Sequence, residues 1–362
     1  MTEFEHKQMR IRALLDEYQL DALLLRRVSN VTWATCGAKV YVNIASSDAS
    51  AVLLITRTQR YLITNNLEAA RFEQEEHLDA QGWEFRVAPW YESSDEVARL
   101  TRGMKLGADG AFPGALDLAR ELARLRIALT PEECERFRTL GQLCADAVEV
   151  VACSLEPGRT EQAISARLGY EAELRCVQAV TNIVATDWRI GAFRHALPTD
   201  KPLERYAMLV LNGRRWGLVC TVTRFVHIGE LSDDLRRRNE ITAHLFAEFI
   251  CATRPGKSFA ELFELVATEY ARAGFPAEWH QHHQGGSVGY EPREFFVTPQ
   301  SSERIAAHQA FVWNPSIGDV RSVDTFLVGE TENKIITASE SWQTLPISVG
   351  ALIVPRPVIL EL

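Results

Sequence analysis

The hydrophobic pattern changes period repeatedly along the first ~125 residues, which is the mark of alternating helix and strand. Residues 4–19 carry a helical period, and Ala22-Leu23-Leu24-Leu25 follows as a short apolar run. Ala51-Val52-Leu53-Leu54-Ile55 and Tyr61-Leu62-Ile63-Thr64 flank a polar turn and predict a hairpin. Leu67 to Glu76 reads as helix, Trp83 to Trp90 as extended chain, and Ser94 to Arg102 as helix. This alternation predicts an α/β unit with a mixed sheet.

A second pattern begins near Thr130-Pro131-Glu132-Glu133. Threonine as N-cap, proline at N1 and glutamate at N3 make a capping box, so a long helix starts there and runs to about Cys153. The boundary places one domain at 1–128 and another at 129–362. The second domain reads as a duplication. Helix 131–153 leads into Pro157-Gly158-Arg159-Thr160 and another helix; helix 233–253 leads into Pro255-Gly256-Lys257-Ser258 and another helix. Thr160 and Ser258 sit where N-caps belong, and Ser258 has Glu261 at N3. Extended sequence follows each pair. The first half offers Met208 to Leu211 and Trp216 to Val226, a hairpin predicted across Asn212-Gly213. The second offers Ala310 to Trp313 and Asp324 to Val328. Two copies of helix–helix–hairpin predict a pseudo-two-fold α+β domain with a cleft between its halves.

Composition narrows the function classes. At 362 residues two domains are the default, and 46% hydrophobic with 24% charged residues is ordinary for a soluble protein. The net charge of −9 and the lack of a basic stripe argue against nucleic acid and anionic membranes as partners. Arg236-Arg237-Arg238 reads as a solvated helix face. The seven cysteines form no CxxC pair, which fits free thiols in a reducing cytoplasm. The N-terminal residues lack the order of a signal peptide, and no apolar run approaches the ~20 residues needed to span a bilayer.

The candidate chemistry concentrates in His280-Gln281-His282-His283-Gln284-Gly285-Gly286, followed by Tyr290-Glu291-Pro292-Arg293-Glu294. Histidines can act as bases or metal ligands, glycines let backbone approach a ligand, and arginine can grip a carboxylate with two parallel hydrogen bonds. His195, in Phe193-Arg194-His195-Ala196-Leu197-Pro198, occupies the matching place in the first half. Cys220 and Trp313 read as strand residues that pack, and Asp324 as an ion-pair partner of Arg321 or Arg224.

These segments carry a resemblance. Arg194 to Thr199, Thr223-Arg224, residues 282–294, Asn314-Pro315 and Arg321 to Asp324 occur in the order found in the creatinase / Xaa-Pro aminopeptidase / prolidase family. The resemblance implies a pita-bread catalytic domain preceded by a smaller creatinase-type α/β domain, and a homodimer. Peptidases of that family hold two metal ions through two aspartates, a histidine and two glutamates. Here the matching positions are Leu211 or Asn212, Thr221, His282 or His283, Asn314 and Val323. Four anionic ligands are missing, and divalent cations need anionic oxygens to offset their lost hydration. The expectation is no metal and no cofactor.

Creatinase is the metal-free comparison within the family. Its general-base histidine matches His195, and its carboxylate-binding arginine matches Arg293. Its histidine four residues ahead of that arginine is Gly289 here, and its guanidinium-binding glutamates are not evident, so creatine is a poor substrate guess. The resemblance therefore implies a metal-independent hydrolase or lyase acting on a C–N or other C–heteroatom bond of a small carboxylate-bearing molecule. His195, His282 and His283 are its candidate catalytic residues. Arg293, Glu294, Tyr290 and Asn314 are the candidate substrate-binding residues. The alternatives are a non-catalytic pseudo-peptidase that binds a ligand or protein, and an Xaa-Pro-type peptidase with an atypical metal site. A sealed pocket where His195, His282 and Arg293 converge favours the enzyme; an exposed apolar rim favours the binder.

Overall fold

A computed structural model describes residues 1–92 and 95–362. The chain divides into two compact units, Met1–Arg126 and Ile127–Leu362.

The first unit begins with α1 (Glu3–Glu17), whose start is fixed by a capping box between Thr2 and Glu5. Strand β1 (Ala22–Arg27), helix α2 (Val28–Ala34) and the hairpin β2 (Asp48–Thr56) with β3 (Arg60–Asn65) follow. Helix α3 (Ala69–Gln74), β4 (Glu84–Ala88), α4 (Glu96–Leu100), β5 (Leu106–Ala108), β6 (Ala115–Asp117) and α5 (Ala119–Ile127) complete it. Ser94, the expected start of the helix before Arg102, lies outside the described residues. The described strands form one mixed sheet in the order β4-β3-β2-β1-β5-β6. Ala22, Leu24, Leu54 and Ala108 are buried in a cluster against it.

The second unit opens with α6 (Pro131–Ala152), capped by Thr130 and Glu133, and α7 (Glu161–Leu174), capped by Thr160. Strand β7 (Gln178–Thr186), short helix α8 (Trp188–Ala192), β8 (Tyr206–Arg215) and β9 (Leu218–His227) follow. The pattern then repeats with α9 (Asp233–Ala252), α10 (Phe259–Arg272), β10 (Gly285–Val288), β11 (Phe295–Phe296) and β12 (Ala310–Trp313). After β13 (Ser316–Ile317) and β14 (Val320–Arg321) comes β15 (Asp324–Leu327). The chain ends with β16 (Lys334–Ile335), the hairpin β17 (Thr344–Val349) and β18 (Leu352–Pro357), and β19 (Leu360–Glu361).

The main sheet of this unit runs β11-β10-β12-β15-β9-β8-β7, with β9 and β15 side by side at its centre. Each half supplies three antiparallel strands, β7-β8-β9 and β10-β12-β15. The duplication extends to single hydrogen bonds. Gly158 N–H donates to the Leu203 carbonyl at 2.8 Å, and Gly256 N–H to the Ile305 carbonyl at 2.9 Å. Thr160 and Ser258 each form an isolated antiparallel bridge, to Pro202 and Arg304. This is the pseudo-two-fold pita-bread architecture.

The largest core of the second half is aromatic. Phe246, Phe249, Phe259 and Tyr270 from α9 and α10 pack on Phe311, Trp313 and Phe326 from β12 and β15. Burial of one such side chain contributes about 1.5–3 kcal/mol, so this cluster holds helices and sheet together.

One turn differs from expectation. Strand β8 runs straight through Asn212-Gly213, and the chain reverses at Trp216-Gly217, where both residues have positive φ. A Cβ on Gly213 would lie 2.4 Å from Cys144 Sγ and 2.5 Å from a Val177 methyl carbon. That glycine makes room for α6 and is not a turn residue. Trp216 therefore leaves the strand, with the Arg215 guanidinium 4.1 Å over its ring, whereas Trp313 packs in the core as expected. The arginine run on α9 also differs from a purely solvated face, because Arg238 pairs with both Asp234 and Asp319.

Candidate active site

Strand alternation sorts the residues of the sheet centre. Gly213 faces α6, so its neighbour Asn212 points to the opposite face. Thr221 is the cross-strand partner of Asn212 and shares that face. Asp324 pairs with Val222, so Val323 also lies on the side of Thr221. Thr223 N–H donates to the Val323 carbonyl at 3.3 Å, which ties the two halves together there. Asn212, and not Leu211, thus shares a face with Thr221 and Val323.

The histidines reach this region from the loops. His195 and His282, one from each half, meet with Nε2 to Nε2 at 3.2 Å. His282 Nδ1 lies 2.8 Å from the His283 carbonyl, which can only accept, so Nδ1 carries the hydrogen. His282 Nε2 then offers a lone pair. Two lone pairs do not face each other at this distance, so His195 carries its hydrogen on Nε2 and keeps Nδ1 free as a base. The Asn314 carboxamide closes the same side, 3.0 Å from His282 Nδ1. The structure sets Asn314 Nδ2 at that nitrogen; with a hydrogen already on Nδ1, the amide turned over, oxygen to the ring, would complete the bond.

The rings continue in a row. His195 and His282 have centroids 5.1 Å apart, His282 and His283 4.1 Å, and His283 and Phe296 4.9 Å. His280 is not in the row; it stacks on Trp279 at 3.5 Å. Burial, chiefly, pushes the His282 pKa down to about 4, helped by the positive charges of Arg321 and Arg194 and by His195. His283 moves the same way, through burial first and then His282 and Arg293, although the residue stays partly exposed to solvent. His282 is therefore neutral at pH 7, a hydrogen-bond partner and not a proton donor.

Two arginines border the row. Arg293 donates Nη1 to the Pro292 carbonyl at 2.5 Å, and its buried Nε has no protein partner. Burial alone lowers its pKa to about 10, so it stays charged. Arg321 donates Nη2 to the Arg194 carbonyl at 2.8 Å, on the peptide preceding His195. Its pKa is also lowered to about 10, by burial and then by Arg194. Arg194 itself bonds the Gly318 carbonyl at 3.2 Å and faces Glu278 at 3.4 Å.

Other expected site residues are held by other contacts. Tyr290 is buried with its hydroxyl 2.7 Å from Glu133 of the α6 cap, and Glu294 accepts from the Tyr290 N–H at 2.9 Å. These contacts shape the turn after β10. Asp324 pairs with Arg224 and Arg356, and not with Arg321. Arg321 is the residue that sequence reasoning missed. Its only signal was its place just ahead of Asp324, which pointed to an ion pair.

Two sizeable recesses lie elsewhere. One of about 490 Å³ runs between α9 and α10, and one of about 400 Å³ lies beside the C-terminal hairpin. Neither contains His195, His282 or His283. We place the candidate site by its converging polar groups, because volume alone carries no chemistry. Exposed apolar side chains lie near it: Phe296 against His283, Phe193 and Leu197 on either side of His195 in the chain, and Trp188 against Phe193.

The positions that the resemblance matches to the family's metal ligands are Leu211 or Asn212, Thr221, His282 or His283, Asn314 and Val323. Asn212 Oδ1 and Thr221 Oγ1 are buried without a protein partner. Every donor in the set is neutral, and Val323 supplies none. Among the described residues no group of three His, Cys, Asp or Glu side chains is arranged to hold a metal ion. This set does not fit a pair of divalent cations.

The comparisons bear on this directly. The sequence pattern of Metallopeptidase family M24 matches residues 135–333, and that of the Creatinase/Prolidase N-terminal domain matches residues 8–142. An Xaa-Pro dipeptidase of Pyrococcus horikoshii is 22% identical over 365 residues, covering 94% of this chain and 99% of the relative. The solved Xaa-Pro dipeptidase from Bacillus anthracis superposes with a TM-score of 0.80 at 20% identity, covering 99% of this chain and all of that one. The N-terminal domain of FACT complex subunit SPT16 from Cicer arietinum shares the fold at a TM-score of 0.68 and 11% identity, covering 93% of this chain and 96% of that one. With its M24 match spanning more than half the chain and a creatinase-type domain ahead of it, the protein belongs to metallopeptidase family M24, the creatinase and prolidase family of hydrolases.

Proposed function

We propose that this protein is a metal-independent hydrolase of its family, acting on a C–N bond in a small amino-acid-like molecule that bears a carboxylate. The observation that carries the reading is the His195–His282 pair at 3.2 Å beside a half-buried Arg293 that has no carboxylate partner among the described residues. His195 Nδ1 takes a proton from water, and the hydroxyl oxygen adds to the electrophilic carbon. The same imidazole then returns the proton to the leaving nitrogen. His282 holds the His195 ring through its Nε2 hydrogen bond. Arg293 takes the carboxylate. General acid–base catalysis supplies about 10²–10⁴-fold, so positioning by the arginine must supply the rest. All seven cysteines are free thiols, in keeping with a cytoplasmic enzyme, and the family resemblance points to a homodimer. No helix among the described residues is long and apolar enough to cross a membrane.

A second reading is a pseudo-peptidase that binds without turnover. The exposed apolar side chains of Trp188, Phe193, Leu197 and Phe296 favour it. One experiment separates the readings. Dipeptides, including Xaa-Pro dipeptides, and other amino-acid derivatives are assayed with the protein as purified, after chelation, and as His195→Gln. The expected result is turnover that survives chelation and falls about 10²-fold or more in the variant. Turnover that requires added metal would instead establish an Xaa-Pro-type peptidase with an unusual metal site. Tight binding without turnover would establish the binder.

A further inference from the structure

Two guanidinium groups border the imidazole row, and neither has an acidic partner. Arg321 stands at the His195 end, its Nη2 fixed by the Arg194 carbonyl at 2.8 Å. Arg293 stands toward the other end, three residues before Phe296, whose ring lies 4.9 Å from His283. Among the described residues no carboxylate comes within ion-pairing distance of either, although Arg194 nearby has Glu278 and the neighbouring Asp324 has Arg224 and Arg356. A desolvated cation without a counter-charge is costly. Folded proteins keep one where a ligand brings the charge.

A single carboxylate compensates one of the two guanidiniums. The groups between them are neutral: His282, His283 and the Asn314 amide. We infer that the site takes a small dianion, with one acidic group on Arg293 and a second on Arg321, and the reacting bond held over the His195–His282 pair. This rests on the carboxylate reading above and narrows it to amino-acid-like molecules that carry two acidic groups.

The test uses matched pairs that differ by one charge at constant shape. Succinate and glutarate are compared with succinamate and glutaramate. Glycyl-aspartate and glycyl-glutamate are compared with glycyl-asparagine and glycyl-glutamine. Binding to the full chain is measured by calorimetry at one fixed salt concentration. At least one diacid should bind about tenfold or more tighter than its amide, the size of a charge-assisted contact. Arg321→Gln should bring that ratio to within about twofold, because it weakens the diacid far more than the amide, whose single carboxylate stays on Arg293. Arg321→Lys, which keeps the charge, should restore part of the preference, and equal melting temperatures would show that each variant folds. Equal affinity for acid and amide in every pair, with both lost in Arg293→Gln, would overturn the dianion and leave the carboxylate reading standing. No binding of any acid would overturn both.

Discussion

The second unit contains two clusters of arginine, one fully buried and one half-buried, and they are built on opposite plans. In the first, Asp324 sits between two arginines. Its Oδ1 accepts from Arg224 at 3.0 Å and from the Thr337 hydroxyl at 2.6 Å, and its Oδ2 accepts from Arg356 at 2.5 Å. Arg356 also bonds Ser322 Oγ at 2.9 Å and lies 3.6 Å over the Phe246 ring. The chain supplies the anion and most of the hydrogen bonds. In the second, Arg293 and Arg321 meet only backbone carbonyls. The first cluster joins β9, β15 and the C-terminal hairpin, and so serves the fold. The second leaves its charge balance open beside two histidines, which is the place the proposed ligand would fill. A buried arginine is thus classified by where its anion comes from.

The largest expected effect would break the closed cluster. Asp324→Ala strands two buried guanidiniums and should destabilise the protein by about 3–5 kcal/mol, the usual cost of removing one member of a buried ion pair. Asp324→Asn should fall short of that, because the amide oxygen still accepts. Urea titration with a constant slope measures both. A loss below about 1 kcal/mol for Asp324→Ala, the range of an exposed pair, would mean the cluster is better hydrated than its burial implies.

The next effect tests the open cluster, and its sign on stability is the reverse. Arg293→Ala removes a desolvated charge that has no partner, so the folded state should be unchanged or slightly more stable. The same substitution should weaken a carboxylate ligand by about 1.5–3 kcal/mol, the range for a hydrogen bond to a charged group. Arg293→Lys should also weaken it, because an ammonium cannot make two parallel contacts. Calorimetry with the tightest ligand and a melting curve decide the matter. A variant that loses stability and keeps affinity would move Arg293 into the structural class.

How far these plans could be read from the sequence depends on the range of the contacts. The helix starts at Thr130-Pro131-Glu133 and Ser258-Glu261 were legible because a capping box is local, and both are present. The pairing of His195 with His282 followed from the duplication, which sets equivalent loops facing each other. Asn212-Gly213 misled because Asn-Gly is a strong local turn signal, whereas the packing of α6 against Gly213 is a tertiary fact. Asp324 does pair with Arg224, one of the two expected partners, but not with Arg321. Asp324 and Arg321 are neighbours in sequence, but the aspartate's second partner arrives from β18, and Arg321 turns to the histidines. Tyr290 sits in a polar, ligand-like segment, yet its hydroxyl reaches back to Glu133 at the start of α6. Nothing in a local pattern announces such a distant partner.

The smallest effect sharpens the comparison through pH. The folded pKa of His282 is lowered to about 4 by burial and by the positive charge of Arg321 and Arg194, whereas an unfolded histidine titrates near 6.5. Between those values the unfolded chain holds a proton that the folded chain refuses. The contribution of this group to stability is therefore complete above about pH 6.5, drains as pH falls toward 4, and loses nothing further below it. His282→Asn should flatten the stability profile in that window and nowhere else. A dianion bound to Arg293 and Arg321 should flatten it too, because it cancels part of the field that keeps His282 neutral. Parallel urea titrations of wild type and variant from pH 7.5 to 4, with and without glutarate, measure the difference. Superimposable slopes for wild type and variant would mean that the imidazole is as well solvated as in the unfolded chain, and the open cluster would then lack the desolvation that distinguishes it from a surface.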